Sequence, residues 1–148
     1  MLDYQAESKG NLLKGEQLVA ITPLDPDYSD ISILTDGMLG IPSNYHNGNL
    51  IMSPANHTKI AIPSVKGLKK LRVCLIYNPA YRVALPEEVI LTASGKEIGR
   101  VEPEYPSENT GHVFVDFKVP SNPGSLVLTL IKDPEVHSMA VDEIEGYK

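Results

Sequence analysis

The 148-residue chain has no tryptophan, only two phenylalanines and a single cysteine. One cysteine excludes a disulfide within the chain. Cys74 lies in the apolar run Leu71–Tyr77, so we expect a small buried hydrophobe and not a nucleophile.

No apolar stretch reaches the ~18 residues that span a bilayer, so no membrane insertion is expected. The first residues lack the apolar segment of a signal peptide, and any export signal is expected upstream of this chain.

The chain is also poor in basic residues, with 13 Lys and Arg against 19 Asp and Glu and a net charge of −6. Binding to nucleic acid needs clustered cations that displace counterions from phosphates, so this balance argues against a nucleic-acid partner. The only basic cluster in the sequence is Lys66-Gly67-Leu68-Lys69-Lys70, at the start of a predicted strand. We expect it to be a solvated loop face.

Signals for helices are scarce, because 12 prolines and 11 glycines leave little room for a capped amphipathic helix. Short β-branched and aliphatic runs separated by turn residues predict about nine strands, at the spacing typical of sandwiches and barrels. The sequence therefore predicts an all-β antiparallel β-sandwich of the jelly-roll type. It is expected to form one domain over residues 11–148, preceded by a polar, flexible segment at residues 1–10. The predicted strands are 17–22, 49–53, 57–62, 71–77, 88–93, 96–101, 111–119, 126–131 and 139–145.

Catalytic motifs are missing from the sequence. It has no zinc-ligand spacing, nucleophile elbow, phosphate-binding loop or dinucleotide fingerprint. The pairs Glu87 with Glu88 and Glu102 with Glu104 are candidates for glycosidic chemistry. However, neighbouring residues of a strand point to opposite faces, and nothing in the sequence places Glu102 and Glu104 in a cleft. The domain is therefore not expected to be an enzyme.

Acidic residues stand near both ends of the chain. Leu34-Thr35-Asp36-Gly37 is an acidic turn, and Val141-Asp142-Glu143-Ile144-Glu145 is an acidic strand. This arrangement predicts that the two ends lie side by side, held by a hard cation such as Ca²⁺. A loop at Asp36 offers its carboxylate and the carbonyls of Ile33 and Met38. The alternative is an ordinary Asp-Gly turn and a strand whose glutamates face water.

The predicted last strand decides which carboxylates are available. Side chains alternate along a strand, so Glu143 and Glu145 are expected on one face and Asp142 with Ile144 on the other. One of the two glutamates would then complete the ligand shell.

Four motifs follow one another along the chain: Asn11-Leu12-Leu13-x-Gly15, Tyr28-x₅-Leu34-Thr35-Asp36-Gly37, Leu85-Pro86-x-x-Val89 and Val141-Asp142-Glu143-Ile144. Their order resembles the galactose-binding-like, or discoidin (factor 5/8 type C), superfamily over nearly the whole chain from Gly10 onward. The resemblance implies a β-sandwich with a structural Ca²⁺ held by side-chain oxygens of Asp36 and Glu143 and by carbonyls of Ile33, Met38 and Asp142. The chain departs from the family in having no tryptophan after the Asp-Gly step, where Leu50 or Ile51 stands, so a ligand platform that relies on this ring is not expected.

Two loops carry the side-chain chemistry that recognises sugars: aromatic rings for C–H packing beside hydrogen-bonding groups. The first contains Tyr45 and His46, and the second contains Asn78, Tyr81 and Arg82. Sugar-binding relatives carry an Arg and a His in the corresponding loops, so the resemblance implies that Arg82 and His46 bind the sugar. The alternative for each residue is structural, as a ring that caps the core, a loop hydrogen-bonding group or a surface ion pair.

Three functions follow from these observations. The first is a non-catalytic carbohydrate-binding module of a secreted glycoside hydrolase, similar to those of β-hexosaminidases (chitobiases). A glycan and the parent chain's catalytic domain would be its partners, in the periplasm, at the cell surface or outside the cell. The second is a structural or docking module, which predicts an apolar surface on a face of the sandwich. The third, an enzyme, is the least supported.

Overall fold

The computed structural model describes residues 10–37, 51–106 and 111–148. Their regular structure consists of nine β-strands and short 3-10 turns, and no helix among them is long and apolar enough to cross a membrane. The 3-10 turns are Pro26–Tyr28, Ile31–Thr35 and Pro79–Tyr81. The strands are β1 (Val19–Ala20), β2 (Ile51–Ser53), β3 (His57–Ile62), β4 (Lys70–Tyr77), β5 (Glu88–Ala93), β6 (Lys96–Val101), β7 (Gly111–Lys118), β8 (Leu126–Ile131) and β9 (Met139–Tyr147).

The strands form two antiparallel sheets. The order of the five-stranded sheet is β1-β3-β8-β5-β6, and the order of the four-stranded sheet is β2-β9-β4-β7. The chain changes sheet at every connection except the one between β5 and β6, as expected when both inner faces cover one core. The predicted all-β antiparallel sandwich is confirmed, and each predicted strand matches an observed one within a few residues. The flexible segment predicted at residues 1–10 lies, apart from Gly10, outside the described residues.

The core lies between the sheets and follows the alternation of each strand. In β8, Leu126, Leu128 and Leu130 are buried in the same hydrophobic cluster as Val73 and Leu75 of β4. A smaller buried cluster, Met52, Ile76, Val83 and Ala140, lies on the other face of the four-stranded sheet. β4 pairs with β7 on one side and β9 on the other, so the predicted position of this apolar run as a central strand is confirmed.

Cys74 lies fully buried in β4. Its burial, followed by the charges of Asp142, Glu145 and Glu143, raises the pKa of the thiol far above its ordinary value. Because the thiolate is the reactive form, Cys74 is inert, as the sequence predicts.

The two ends of the chain lie side by side, as predicted. The amide of Leu12 donates to the carbonyl of Gly146 at 2.6 Å. Oδ1 of the buried Asn11 accepts hydrogen bonds from the amides of Leu13, at 3.0 Å, and Gly146, at 2.9 Å. One asparagine oxygen thus joins residues that are 135 positions apart in sequence.

Candidate functional site

A second contact between the chain ends is made at Glu143 of β9. The amide of Gly37 donates to Glu143 Oε2 at 2.8 Å, and Glu143 is fully buried. Gly37 has φ +80°, a conformation that glycine adopts without strain. Asp36 caps the turn Ile31–Thr35, and its amide donates to the carbonyl of Ile33 at 3.4 Å. We call Asn11, Asp36, Gly37, Glu143 and Gly146 the clasp.

The carboxylates of Asp36 and Glu143 interact directly. Burial raises the pKa of Glu143 to about 10, opposed by the hydrogen bond from Gly37 and assisted by the nearby charge of Asp36. The Oε1 atom of Glu143 is buried and accepts no N–H hydrogen bond from the described residues, and a hydrogen bond between the Glu143 and Asp36 carboxyl groups adds to the rise in the pKa of Glu143. A buried carboxyl beside a second carboxylate is stable only with a proton or with a cation.

A register shift in β9 alters the predicted faces of its acidic residues. Cys74 pairs with Glu143, but the next residue of β4, Leu75, pairs with Val141, so Asp142 is the extra residue of a β-bulge. Glu143 and Glu145 remain on one face, as predicted, because no shift separates them.

Asp142 lies on the outer face of the sheet, where its Oδ2 atom is 2.7 Å from Nε2 of His112. Ile144 lies in the main core. The prediction that these two residues share a face is therefore wrong, because it assumed a strand without a bulge.

The five predicted metal ligands are placed as follows. Asp36, Glu143 and the carbonyl of Ile33 are brought together, and Asp142 is adjacent in the chain to Glu143. Met38 lies outside the described residues. The described chain contains no group of three or more His, Cys, Asp or Glu side chains suited to a metal. Any ion held here would therefore rely on main-chain carbonyls as well as the two carboxylates.

Arg82 closes a rigid turn at one end of the sandwich. Asn78 and Val83 exchange backbone hydrogen bonds of 2.9 and 3.0 Å around the turn Pro79–Tyr81. Arg82 follows with φ 61°, a left-handed conformation that is strained for a residue with a side chain. Its side chain is exposed, as a binding residue requires.

The other predicted sugar-binding residues have different positions. The Asn78 side chain is buried with 2% exposure, so this residue forms the base of the turn. Tyr81 belongs to the turn, but its side chain is outside the described part of the chain. Tyr45 and His46 also lie outside the described residues. Of the five, Arg82 alone is shown exposed at a cavity.

That cavity has a volume of about 570 Å³ and lies between the Arg82 turn and the loop that follows β8. We call it the loop cavity. Its lining residues are Pro79, Arg82, Val83, Ala84, Pro134, Glu135, Val136 and His137. Backbone hydrogen bonds from Ser138 to Arg82, at 3.3 Å, and from Ala84 to Ser138, at 3.1 Å, join its two walls.

Lys132 organises the second wall, and the sequence gives no sign of this role. The side chain is 4% exposed, and its Nζ donates to the carbonyls of Asp133 and Val136. A buried ammonium that is hydrogen-bonded in this way fixes the loop 133–136. His137 Nδ1 lies 2.7 Å from Ser138 Oγ, so its ring is also held at the rim.

A second cavity of about 480 Å³ lies beyond the same loop and is strongly acidic. Tyr105 at its edge is 60% exposed and packs edge-on against Tyr77, with ring centroids 5.0 Å apart. Burial, then the charges of Tyr77, Asp133 and Glu87, raise the pKa of Tyr105. The sequence named three of its acidic residues in separate pairs and placed none of them in a cleft, because the cleft joins three separate segments of the chain. Its acidic residues are Glu87, Glu88, Glu102 and Asp133.

Known structures share this fold at low sequence identity. The module CBM32-3 of a family 31 glycoside hydrolase from Clostridium perfringens is 17% identical, with a TM-score of 0.54 over 96% of this chain and 97% of that chain. A GH31 CBM32-2 module solved with GalNAc bound is 13% identical, with a TM-score of 0.54 over 89% of this chain and 97% of that chain.

A structure of the Streptococcus pneumoniae β-galactosidase BgaA is 11% identical, with a TM-score of 0.55 over 94% of both chains. No protein-family model and no curated protein sequence matches the chain. The fold of this chain is therefore the antiparallel sandwich found in carbohydrate-binding modules of glycoside hydrolases, as the resemblance to the galactose-binding-like superfamily predicts.

Proposed function

We propose that this chain is a non-catalytic carbohydrate-binding module that binds a glycan in the loop cavity. The observation that carries the proposal is Arg82, an exposed cation held in a strained backbone conformation at the rim of that cavity. Strain of this kind persists only where the surrounding structure imposes it, and it concentrates at ligand-binding positions. The resemblance in fold to carbohydrate-binding modules supports the same function.

The lining chemistry suits a sugar. The guanidinium of Arg82 is a planar fork of donors, which can bond two neighbouring hydroxyls at once. Glu135 supplies acceptors and His137 supplies a ring nitrogen on the opposite wall. The exposed Tyr105 ring lies in the cleft beyond the loop 133–137 and gives an apolar face for a further sugar unit.

Calorimetric titration with galactose, N-acetylgalactosamine, N-acetylglucosamine and chitooligosaccharides tests the proposal. We expect binding of at least one sugar at millimolar concentration, and a folded protein that binds none of them would contradict the proposal. Arg82→Gly removes the guanidinium but suits the left-handed backbone, and should abolish binding. Asn122→Gly, at another positive-φ residue (φ 51°), is the matched control and should leave binding unchanged.

We propose further that the clasp holds a structural Ca²⁺. Side-chain oxygens of Asp36 and Glu143 and main-chain carbonyls of Ile33, Met38 and Asp142 would be the ligands. The supporting observation is the buried pair of carboxylates, with a Glu143 oxygen that accepts no N–H hydrogen bond from the described residues. Ca²⁺ takes 6–8 oxygen ligands and accepts carboxylates and carbonyls together. Isothermal titration with Ca²⁺ after chelation tests the site, and absence of heat would contradict it.

The proposed setting is a secreted glycoside hydrolase, acting in the periplasm, at the cell surface or outside the cell, whose catalytic domain is the module's partner. Two of the similar structures are modules of family 31 glycoside hydrolases by name. Recovery of the parent protein only from the cytoplasm would contradict this setting.

The module itself is expected to release no product from aryl glycosides above background.

A docking role is the second candidate, and the outer face of the five-stranded sheet favours it. Val19 and Ile21 of the β1 region are 55% and 53% exposed. Val19 pairs with Ala61, which pairs with Val127, so aliphatic side chains run across this face. A docking module predicts that the melting temperature of the parent enzyme falls when this domain is deleted, and no change would count against it.

A further inference from the structure

The fold gathers cations at the end of the sandwich opposite the loop cavity. Three segments supply them: the connection before β4, the end of β7 and the residue after β9. We call this group the basic end. Its members are Lys66, Lys69, Lys70, Lys118 and Lys148.

Strand register and main-chain hydrogen bonds bring these lysines together. Lys70 pairs with Lys118 across β4 and β7. The carbonyl of Lys69 accepts from Val119, and its amide donates to the carbonyl of Tyr147, each at 2.8 Å. Lys148 follows directly, and its side chain lies beside Gly67. Backbone pairing in the sheet therefore fixes where these lysines lie along the chain's surface.

Few negative charges balance this group. Asp116 lies 3.5 Å from Lys70 and also pairs with Arg72, at 2.9 Å. Within the described part of the chain, the other four lysines of the basic end enter no ion pair, and all four are exposed. Like charges directly opposite on a sheet destabilise it, as at Lys70 and Lys118. Asp116 offsets part of this repulsion at Lys70, and the four exposed lysines remain available to an anionic ligand.

Two cavities open among these lysines. One, of about 510 Å³, lies between the segment 64–69 and the loop 120–124 and includes Lys66 and Lys69. The other, of about 320 Å³, is lined by Lys70, Arg72, Tyr147 and Lys148. A ligand that spans both cavities would meet two lysines in the first cavity and three cationic side chains in the second.

We propose that the basic end binds an acidic polysaccharide through carboxylate or sulfate groups. A duplex nucleic acid carries one charge per ~1.7 Å of its axis, and a chain of net charge −6 would repel so dense a polyanion. Stable anchoring at an anionic lipid surface needs an apolar contact besides a basic patch. None of the four strongly exposed large hydrophobic residues among those described lines either cavity. A polysaccharide with sparser charge fits both observations.

Affinity for polygalacturonate and chondroitin sulfate, with neutral dextran as the blank, tests the proposal. We expect binding to at least one acidic polymer that weakens as salt rises. Lys69→Glu should lower the affinity about fivefold, the upper end for one exposed ion pair, and should reduce the salt slope by about one. Lys118→Glu is expected to act likewise. Lys59→Glu, the same charge reversal on the exposed face of β3, is the matched control and should change the affinity little.

Several outcomes overturn the proposal: no binding to either acidic polymer, equal losses in Lys69→Glu and Lys59→Glu, or tighter binding of duplex DNA or phosphatidylglycerol vesicles at 0.15 M salt. Arg82→Gly should leave the affinity for the acidic polymer unchanged. The experiments therefore distinguish a failure of the basic-end proposal from a failure of the proposal that the loop cavity binds a sugar.

Discussion

The clasp and the loop cavity place polar groups in opposite environments. In the clasp, Asn11 and Glu143 are buried and bond main-chain amides from the far end of the chain. At the loop cavity, Arg82 is exposed on a turn that is held by its own backbone. An unpaired buried polar group costs free energy, whereas an exposed one is solvated. Substitutions in the clasp should therefore change stability, and those in the loop cavity should change binding alone.

The largest expected effect is that of Ca²⁺ on the clasp. At free Ca²⁺ a hundredfold above its dissociation constant, the free energy of unfolding should rise by about 2.7 kcal/mol. For a domain of this size this corresponds to roughly 5–10 °C in melting temperature, measured by calorimetry with Ca²⁺ or with chelator.

Substitutions of the two aspartates that flank the turn Ile31–Thr35 distinguish loss of Ca²⁺ binding from loss of a negative charge in general. Asp36→Asn should abolish the response to Ca²⁺. Asp30→Asn, at the other end of the same turn, should keep it, because Asn also caps the amide of Ser32. The same melting temperature in excess chelator and in Ca²⁺ would rule the ion out.

Asn11→Ala should cost about 2 kcal/mol, because the amides of Leu13 and Gly146 then lose their acceptor inside the protein. Urea unfolding measures this change. Asn56→Ala, the same substitution at an exposed residue, should fall within about 0.5 kcal/mol of the wild type. Equal effects of the two substitutions would show that the Asn11 contacts do not hold the chain ends.

The pH dependence of the Ca²⁺-free protein should follow Glu143. Its pKa is raised from 4.5 to about 10, so the folded state keeps a proton that the unfolded state releases. The contribution of Glu143 to stability is complete below about pH 4.5 and is lost as pH rises toward 10. In chelator, the free energy of unfolding should fall between pH 7 and 8, by at most about 1.4 kcal/mol. Glu143→Gln should flatten this slope, and an unchanged slope would argue against the assignment.

Arg82→Gly should change the free energy of unfolding least, by less than about 0.5 kcal/mol. Relief of the left-handed strain offsets the greater freedom of glycine in the unfolded chain. Chemical unfolding of this variant, combined with sugar titration, makes the contrast with the clasp direct. A loss of stability as large as that of Asn11→Ala would erase the distinction between the two regions.

Much of the fold was predictable, because alternation of apolar residues reports which face of a strand is buried. The runs at β4 and β8 are buried as their composition indicates, and Cys74 lies in the first of them. The Asp36-Gly37 turn and Glu143 were also predicted to meet. The bulge at Asp142 was not predicted, since a register shift depends on how two strands pair and not on either strand alone.

The candidate sites were less predictable. Arg82 was predicted as a binding residue from its own loop, but its left-handed backbone conformation was not predicted. The opposite wall of its cavity was not predicted either, because it lies about fifty positions further along the chain. Lys132 follows an apolar strand with no motif around it, and its buried ammonium bonds carbonyls that become available only in the folded loop. The exposed Tyr105 ring likewise gains its acidic surroundings from distant residues.

By itself, the sequence determined the strands, the two-layer class and the meeting of the acidic ends, because short-range alternation and turn residues encode which side chains face the core. The tertiary structure alone decided which charges become neighbours. Lys69 and Lys118 are 49 positions apart, as are Arg82 and Ile131, the last residue of the strand before the facing wall. Only the register of β4 with β7 and the docking of the loop after β8 bring such groups together. Electrostatic and binding properties depend on these distances, and no local pattern in the chain contains them.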